Sequence, residues 1–414
     1  MTPPFRSRWL RAALVRGDRI VEDGLLRIDG DRIGFVGRVR EAPAGARAAE
    51  RLDGILAPGY IDVHCHGGGG IDVLGPGVDA LLGGGRRVIE ETAAALRAFA
   101  AFAARRGLAA VVPTAVTIPL DAVPTWLRAV ARARRDQASA RRGAALAGRP
   151  GPSEAAILGA NLEGPALAHG RRGAHDPTFL VPPQRLVARL ADEPVARRVL
   201  RIVTLAPEGE GGLDAVAALA ELGVVVSVGH TEASTEIARA AYAAGARSTT
   251  HLFNAMPGLH HRSPGPIGVV LADDRIYAEL IADGVHVDPL LFRPLFRLLR
   301  GRLLFVSDAI ALAGVGQGAL RLGSLAVTVR GREARLRDGT LAGSVTPLDE
   351  AVAVAVAAGV PLPLAVVAAT RTPARLLGLR GLGAIRANAR ADLVLLDEGG
   401  RRRQVILGGA VLEP

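Results

Sequence analysis

The sequence predicts an α/β protein, a (β/α)8 TIM-like barrel with a small β-sandwich domain built from both chain termini. The first observation behind this prediction is that short β-rich runs alternate with longer Ala/Leu-rich runs along most of the 414 residues. The second is that eight of the short runs are almost wholly apolar, as buried parallel strands are. The third is that strand patterns without intervening helical runs occur at both ends of the chain.

We predict one barrel strand in each of eight runs: GYIDVHCH near residue 63, LAAVVPTAVT near 112, ILGANLEG near 160, VLRIVTLAP near 203, VVVSVGH near 227, RSTTHLF near 250, YAELIADGVH near 281 and LLFVSDAI near 306. Helical patterns lie between most of them, for example at residues 94–106, 214–222 and 235–244. Residues 136–154 (DQASARRGAALAGRPGPSE) predict an exposed, flexible insertion between the second and third units.

The two ends of the chain do not follow the barrel pattern. Residues 8–57 contain short strand patterns separated by turn signals at residues 17–18 and 29–31, which indicates antiparallel strands. The C-terminal stretch ARADLVLLDEGGRRRQVILGGAVLEP repeats this pattern. We therefore expect residues 1–57 and 380–414 to form the small β-sandwich domain and residues 58–379 to form the barrel.

Composition narrows the class of protein. Hydrophobic residues make up 49% of the chain and charged residues 22%, which is ample for a packed core. The net charge of +11 suggests a nucleic-acid partner at first sight. All the basic residues are arginine, however, and aromatic residues make up only 3% of the chain, so stacking surfaces for bases are scarce. We therefore expect no nucleic-acid partner. A nucleic-acid-binding protein remains the less favoured alternative to an enzyme.

The sequence also bears on cell compartment. The one cysteine, Cys65, excludes an internal disulfide framework, and arginines interrupt the N-terminal residues throughout, so we expect a cytoplasmic protein. Residues 351–370 (AVAVAVAAGVPLPLAVVAAT) carry no charge over about the length that spans a bilayer. Because GVPLP interrupts this segment, we predict two buried helices joined by a turn and no membrane association.

Polar residues cluster where the predicted strands end. They are His64 and His66 on the first strand, Glu163 on the third, His230 on the fifth, His251 on the sixth, His286 on the seventh and Asp308 on the eighth. The carboxyl ends of barrel strands converge on one face, and that face carries the active site in enzymes of this fold. His64 and His66, two residues apart, point the same way from their strand, and the glycines that follow let the chain turn away.

Imidazoles and a carboxylate in one pocket suit a divalent cation, zinc or iron(II). Such an ion lowers the pKa of a bound water to about 7, and an aspartate beside it can take the proton and return it to a leaving amine. The residues therefore indicate hydrolysis of a C–N bond.

Each residue also has a purely structural interpretation. A single histidine such as His230 or His286 is more often a hydrogen-bonded core residue than a ligand. Asp308 could cap a helix, and Glu163 could pair with an arginine. Their common position at strand ends favours a shared site. We expect His169 to be a loop residue without function. We expect the same of His260 and His261, which are neighbours in another loop.

The motifs resemble those of the N-acetylglucosamine-6-phosphate deacetylases of the amidohydrolase superfamily over nearly the whole length. The matching stretches are PGYIDVHCHG, NLEGP with GAHDP, SVGHT, THLFNAMPGLHHRSPGPIG, IADGVH, VSDA and LAGS. The HxH pair alone indicates an amidohydrolase, whereas residues 251–268 carry the specific signature. The stretch VTPLDEAV after LAGS and the insertion at residues 136–154 depart from the family pattern.

The resemblance implies a role for each matching residue. Glu163, His230 and His251 would bind the ion that activates water, and His64 and His66 would bind a second ion bridged by Glu163. Asp308 would be the general acid/base, and His286 would contact the sugar or polarise the amide carbonyl. Asn254, Ala255 and Arg262 would hold the phosphorylated end of the substrate. The residues that would line the rest of the substrate pocket are Ala174, His175, Leu341, Ala342 and Gly343.

The resemblance further implies a homodimer in which a phosphate contact reaches across from the neighbouring subunit. Amidohydrolases that bridge two metals with a carboxylated lysine are excluded, because the chain has no lysine. The expected reaction is deacetylation of N-acetylglucosamine 6-phosphate. The nearest alternatives are deacetylation of another N-acetylated sugar phosphate, such as N-acetylgalactosamine 6-phosphate, and deamination of a ring.

Overall fold

The computed structural model describes residues 7–43, 46–147 and 151–413. It begins with four strands: β1 (Arg8–Arg16), β2 (Arg19–Asp29), β3 (Arg32–Arg38) and β4 (Glu50–Pro58). The antiparallel pair β1–β2 turns at Gly17 and Asp18, and Gly17 has a φ of 67°, which glycine adopts without steric cost. Gly30, with a φ of 63°, makes the corresponding turn from β2 to β3. Both predicted turns are therefore confirmed.

The next strands include those of the barrel, together with a separate two-stranded sheet. They are β5 (Tyr60–Cys65), β6 (Gly67–Gly68), β7 (Ile71–Asp72), β8 (Leu108–Ala115), β9 (Ala156–Ile157), β10 (Ala160–Glu163), β11 (Leu200–Leu205), β12 (Val225–Val228), β13 (Ser248–Thr249), β14 (Tyr277–Ile281) and β15 (Leu303–Val306). The separate sheet consists of β6 and β7, and eight of the other strands pair in parallel in the order β5-β8-β10-β11-β12-β13-β14-β15. Each of the eight predicted runs contains one of these strands, so the predicted barrel is confirmed.

The barrel is nearly closed between β5 and β15. Just beyond these strands the backbone N–H of Asp308 donates to the carbonyl of His64 at 2.9 Å, and the N–H of His66 donates to Ala309 at 2.8 Å. The buried carboxylate of Asp62 accepts from the backbone N–H groups of His64 and Ser307 across the same seam. The seam therefore joins the two strands that carry His64, His66 and Asp308.

The helices cover the barrel. They are α1 (Val78–Gly83), α2 (Arg86–Arg105), α3 (Val123–Leu146), α4 (Pro183–Ala191), α5 (Ala196–Val199), α6 (Gly212–Glu221), α7 (Thr235–Ala243), α8 (Gly265–Ala272), α9 (Phe292–Leu298), α10 (Leu348–Ala357), α11 (Leu362–Ala369) and α12 (Arg371–Leu376). The uncharged segment at residues 351–370 forms α10 and α11 with a turn between them, as predicted. Among the described residues, no helix is both long and apolar enough to span a bilayer.

The prediction of a flexible insertion at residues 136–154 is wrong for residues 136–146, which are helical, although all of these side chains except Gln137 are at least partly exposed, as expected. Helix α3 continues to Leu146, since its Ala, Arg and Gln residues are strong helix formers. Gln137 is buried and donates from Nε2 to Glu154 Oε2 at 2.9 Å. Arg97 of α2 donates to Glu154 Oε1 at 2.7 Å. Residues 148–150 lie outside the described residues.

Four further strands form an antiparallel sheet that the sequence did not predict. They are β16 (Gly318–Leu322), β17 (Leu325–Arg330), β18 (Glu333–Arg335) and β19 (Leu341–Ser344), paired in this order. The N–H of Ser344 donates to the carbonyl of Asp308 at 2.8 Å, and the N–H of Ile310 donates back to Ser344 at 3.0 Å. These bonds bring β19, with the LAGS motif, beside the end of the eighth barrel strand.

The last strands return to the first sheet. They are β20 (Leu393–Leu396), β21 (Arg402–Leu407) and β22 (Ala410–Leu412), and the sheet order is β22-β21-β20-β4-β1-β2-β3. This sheet has its own core, which includes Leu10, Leu26, Leu56, Leu393 and Ile406. The predicted joining of both termini in one β-domain is thus confirmed, and we propose domain limits at residues 57 and 380.

Replacement of Glu154 tests whether residues 136–154 are held in place. Glu154→Ala removes the carboxylate that accepts from Arg97 and one of the two acceptors of the buried Gln137 amide, so we expect the free energy of unfolding to fall by about 1–3 kcal/mol. Urea denaturation measures it. The control Arg142→Ala removes an exposed side chain of helix α3, which also carries Gln137, and should change stability by less than about 0.5 kcal/mol. Equal stability of the two variants would contradict the anchoring.

Candidate active site

The side chains predicted to be functional meet at the carboxyl ends of the barrel strands. His64 and Glu163 lie within the last two residues of β5 and β10, and His66 directly follows β5. His230, His251 and Asp308 each lie two residues beyond a strand and have left-handed backbones, with φ of 48°, 28° and 48°. Such conformations are uncommon for non-glycine residues and occur often at functional sites. The three residues lie where the chain leaves a strand and enters a loop.

The Glu163 carboxylate is the centre of this group. Its Oε1 lies 3.1 Å from Nε2 of His230, 3.1 Å from Nε2 of His251 and 3.3 Å from Nε2 of His64. Its Oε2 lies 3.2 Å from Nε2 of His66. All five side chains are buried. Four imidazoles, one on a strand and three just past strand ends, therefore direct the same ring nitrogen, Nε2, at one carboxylate.

Three of these imidazoles have the other ring nitrogen anchored. Nδ1 faces the Glu279 carboxylate at 3.0 Å in His64, the Thr114 carbonyl at 2.9 Å in His66 and the Arg171 carbonyl at 2.8 Å in His230. Because each partner only accepts hydrogen bonds, Nδ1 carries the proton and Nε2 of the neutral ring keeps its lone pair. This is the arrangement that orients histidines as metal ligands.

His175 lies beside the group but is bonded differently. The backbone N–H of Thr117 donates to its Nδ1 at 3.2 Å, so Nδ1 accepts and the proton of the neutral ring lies on Nε2. That nitrogen faces Glu163 Oε2 at 3.4 Å. His175 is therefore suited to donating a hydrogen bond to Glu163 or to a substrate, although its position alone would also allow metal binding.

Asp308 completes the centre. Its Oδ1 lies 3.0 Å from Nε2 of His66 and 3.4 Å from Nε2 of His64. Burial alone would raise the pKa of Asp308, but the charge of His64 and the hydrogen bond from His66 hold it below its usual value. Asp308 is therefore ionised at neutral pH and can accept a proton.

The donor set fits a divalent metal ion. Ligand atoms of His64, His66, Glu163 and Asp308 lie within 4.8 Å of one another, and the buried Nε2 of His64 has no hydrogen-bond partner among the described residues. Burial opposes charge on His66, but hydrogen bonds to Asp308 and Glu163 raise its pKa to about 9. Metal binding must displace such protons, so we expect it to release protons and to weaken as pH falls.

His286 belongs to a second buried network on the same face. Its Nδ1 lies 2.8 Å from Asp283 Oδ2, and the Ser344 hydroxyl donates to the same oxygen at 3.0 Å. The backbone N–H groups of Val285 and His286 donate to Asp283 Oδ1. Burial would lower the pKa of His286, but its hydrogen bond with Asp283 and the charge of that carboxylate raise it. Asp283 thus favours the protonated ring of His286, in which Nε2 is available as a hydrogen-bond donor, and His286 lines the cavity.

A cavity of about 380 Å³ opens over these groups. The metal-type residues His66, Glu163, His230 and His251 line it, together with Asp308. The predicted substrate residues that also line it are Ala174, His175, Asn254, Ala255, His286, Leu341 and Gly343.

Two predicted substrate residues are not in the lining. Ala342 is fully buried and points away from the cavity, since neighbours along a strand face opposite sides. Arg262 is exposed on its loop, where its Nη1 lies 2.9 Å from Nε2 of His261. The histidines expected to be without function, His169, His260 and His261, are exposed.

The sequence analysis missed two arginines at the cavity, Arg171 and Arg172. Arg172 is half-buried and donates from Nη1 to the His169 carbonyl at 2.9 Å. Hydrogen bonds from Thr340 lower the pKa of Asp338, and the charge of Arg172 adds to this effect. Asp338 and Thr340, from the unpredicted sheet, also line the cavity. The available signal was the pair of arginines directly before the GAHDP motif.

A parallel barrel with a histidine–carboxylate centre at its carboxyl face defines the class of metal-dependent barrel hydrolases. A match to the amidohydrolase family covers residues 55–412, and the chain belongs to this family. It is 35% identical to N-acetylgalactosamine-6-phosphate deacetylase from Escherichia coli O157:H7 over 99% of both chains. It is 33% identical to N-acetylglucosamine-6-phosphate deacetylase from Bacillus subtilis (strain 168), covering 82% of this chain and 79% of the relative.

Solved structures agree with these relatives. The structure of a variant N-acetyl-D-glucosamine-6-phosphate deacetylase from Mycobacterium smegmatis, in complex with N-acetyl-D-glucosamine-6-phosphate, superposes with a TM-score of 0.82 at 33% identity. The match covers 98% of this chain and 99% of that one. The enzyme from Thermotoga maritima gives a TM-score of 0.80 at 27% identity, covering 97% and 98%. The resemblance drawn from the motifs is therefore confirmed.

Replacement of Asp283 tests the state of His286. In Asp283→Asn the carboxylate charge is lost, so we expect the pKa of His286 to fall. His286 is protonated below its pKa, so activity that needs its proton should decline at a lower pH than in the wild type. Ring ¹⁵N NMR titration and the pH dependence of kcat/KM measure both changes.

The control Ser344→Ala removes one donor to Asp283 but keeps the carboxylate. It should leave the pKa of His286 unchanged or slightly higher. A basic limb of the pH profile that is identical in Asp283→Asn and wild type would show that Asp283 does not set the protonation of His286.

Proposed function

We propose that the protein hydrolyses the acetamide of N-acetylglucosamine 6-phosphate to acetate and glucosamine 6-phosphate, as a step of amino-sugar catabolism. The observation that carries the proposal is the convergence of four imidazole Nε2 atoms and Asp308 on Glu163 at the floor of a cavity with arginines at its rim. The relatives' names and the sugar phosphate bound in the Mycobacterium smegmatis structure support this substrate.

The metal ligands follow from the four imidazole Nε2 atoms that converge on Glu163. Glu163, His230 and His251 would hold one ion, and His64 and His66 would hold a second that shares Glu163. A divalent zinc or iron ion bound there supplies Lewis acidity and lowers the pKa of water to about 7. The chain's part is to keep the ring nitrogens in place through the Nδ1 contacts described above.

Asp308 carries the proton. As the water oxygen bonds to the amide carbon, Asp308 accepts the water proton, and it returns that proton to the nitrogen as the C–N bond breaks. His286, whose protonated form Asp283 favours, would donate a hydrogen bond to the substrate from the opposite network. The products are then acetic acid and the amine, which ionise to acetate and the ammonium form, and Asp308 is ionised again.

The phosphate end of the substrate needs cations. Arg171 and Arg172 are the arginines that line the cavity of one chain, and a guanidinium matches phosphate oxygens two at a time. Because Arg262 lies outside that cavity, we propose that it contacts the phosphate in the cavity of a neighbouring subunit. This arrangement requires the homodimer that the family resemblance implies. A cytoplasmic location stays a prediction from the sequence.

N-acetylgalactosamine 6-phosphate is the second candidate substrate. The observation in its favour is the relative from Escherichia coli O157:H7, which carries that name and matches 99% of this chain. The two sugars differ only in the configuration of one hydroxyl group. The ratio of kcat/KM for the two 6-phosphates decides between them.

Acetate release from the two sugar 6-phosphates by the purified protein tests the reaction. We expect Asp308→Asn to lower kcat by about 10²–10⁴-fold, since the amide cannot accept a proton, with metal content unchanged. His251→Ala and treatment with a chelator should each abolish activity, and added zinc or iron should restore only the chelated protein. Full activity in a metal-free preparation would exclude the proposed chemistry.

Arginine variants test how the phosphate is bound. A hydrogen bond to a charged group contributes about 1.5–3 kcal/mol, so Arg172→Ala and Arg262→Ala should each lower kcat/KM for the 6-phosphate about 10–150-fold, mainly through KM. Hydrolysis of unphosphorylated N-acetylglucosamine should barely change. Arg142→Ala, an exposed arginine away from the cavity, is the matched control.

Mixed dimers show which subunit supplies Arg262. In a dimer of one Arg262→Ala chain and one Asp308→Asn chain, a contact across the interface leaves one complete site. We therefore expect purified mixed dimers to recover about half of the wild-type kcat/KM, whereas each parent homodimer stays impaired. Mixed dimers as impaired as the Arg262→Ala homodimer would show that Arg262 does not act across the interface.

A further inference from the structure

Glu279 is a carboxylate at the metal-type centre that no motif of the sequence analysis assigned. It lies in the middle of β14, the seventh barrel strand, and is completely buried. It faces the same side of the strand as Ile281, which lines the cavity two residues further on. Glu279 therefore points into the barrel interior beneath the floor of the site.

One oxygen of Glu279 contacts two of the predicted ligands. Its Oε2 accepts from Nδ1 of His64 at 3.0 Å and lies 3.4 Å from the backbone N–H of His251. His64 comes from the first strand and His251 from the loop after the sixth, so Glu279 connects distant parts of the barrel. His251 also has the left-handed φ of 28°, a conformation that neighbouring contacts must hold in place.

The burial of Glu279 is costly for stability alone. Its second oxygen, Oε1, has no hydrogen-bond partner within the described residues. A buried carboxylate with half of its acceptors unused is destabilising unless nearby positive charge compensates it. A cation held by the His64 ring would provide that charge, through the hydrogen bond that Nδ1 already makes.

We infer that Glu279 is a positioning residue for the metal centre, which fixes the His64 ring so that its Nε2 is presented to a divalent ion. The contact keeps the proton on Nδ1, and it sets Nε2 at 3.3 Å from Glu163 Oε1 and 3.4 Å from Asp308 Oδ1. That Nε2 is buried and has no hydrogen-bond partner in the described part of the chain. The inference rests on the metal binding in the proposed function, but not on the identity of the substrate.

Two variants separate positioning from simple packing. Glu279→Gln keeps an oxygen that can accept from His64 and His251, whereas Glu279→Met has similar length and no comparable acceptor. The metal-stripped full-length variants are titrated with zinc against a competing chelator, and the visible spectrum of the cobalt(II) form reports ligand geometry. In the same zinc titration, the binding step that is lost in His64→Ala is the one that involves this histidine.

We expect Glu279→Met to weaken that step about 10–100-fold and to change the cobalt spectrum, as the loss of partners behind metal ligands typically does. Glu279→Gln should stay within a few-fold of the wild type. If Glu279→Met does not fold, Glu279→Asp replaces it, because its oxygens lie one methylene short of His64. The control Glu193→Met changes a buried glutamate paired with Arg128 outside the site and should leave zinc affinity unchanged.

Wild-type zinc affinity and an unchanged cobalt spectrum in Glu279→Met would overturn the inference, and so would equal losses in the Met and Gln variants. If the proposed deacetylase function is wrong but the role of Glu279 is right, the experiments give a different result. In that case zinc binding would still depend on Glu279, but neither sugar 6-phosphate would release acetate.

Discussion

The attraction between one buried carboxylate and the imidazoles around it is the interaction on which the site depends. Glu163 lies within 3.1–3.3 Å of Nε2 atoms of four histidines, and Asp308 approaches two of the same rings. Burial works against every charge in this group, but Glu163 and Asp308 stabilise the ionised forms of His64 and His66 and are stabilised in return. Burial and the charge of His175 instead lower the pKa of His230 to about 4. A divalent cation can replace the protons in that balance, which makes the cluster a metal site in chemistry as well as in position.

The barrel makes this cluster possible by bringing strand ends together. Each functional side chain lies at or just past the carboxyl end of a strand, where the backbone can adopt conformations excluded inside a sheet. A second set of contacts then fixes the rings, since the Thr114 and Arg171 carbonyls and the Glu279 carboxylate each hold an Nδ1. Position comes from the strands, and orientation comes from these partners behind the ligands.

The substrate cavity draws on parts of the chain that lie outside the barrel repeat. The antiparallel sheet of β16–β19 brings Asp338, Thr340 and the LAGS residues to the rim, and the loop after β10 brings Arg171 and Arg172. The hydrogen bonds of Ser344 connect this sheet both to the backbone of Asp308 and to the Asp283–His286 pair. Ser344 thereby holds both Asp308, which carries the proton, and His286, which contacts the substrate, in the proposed function.

The sequence by itself determined the barrel, the β-domain of both termini and most of the side chains at the centre. Those features depend on local hydrophobic period and on residues placed at strand ends, both of which can be counted along the chain. Only the tertiary structure decided the position of Arg262 outside the cavity, the presence of Arg172 in its lining and the contact of Glu279 with His64. It also showed α3 continuing through residues expected to be flexible, where the buried Gln137 meets Glu154. Such features depend on contacts between residues far apart in sequence, and neither composition nor spacing records which distant side chains will meet.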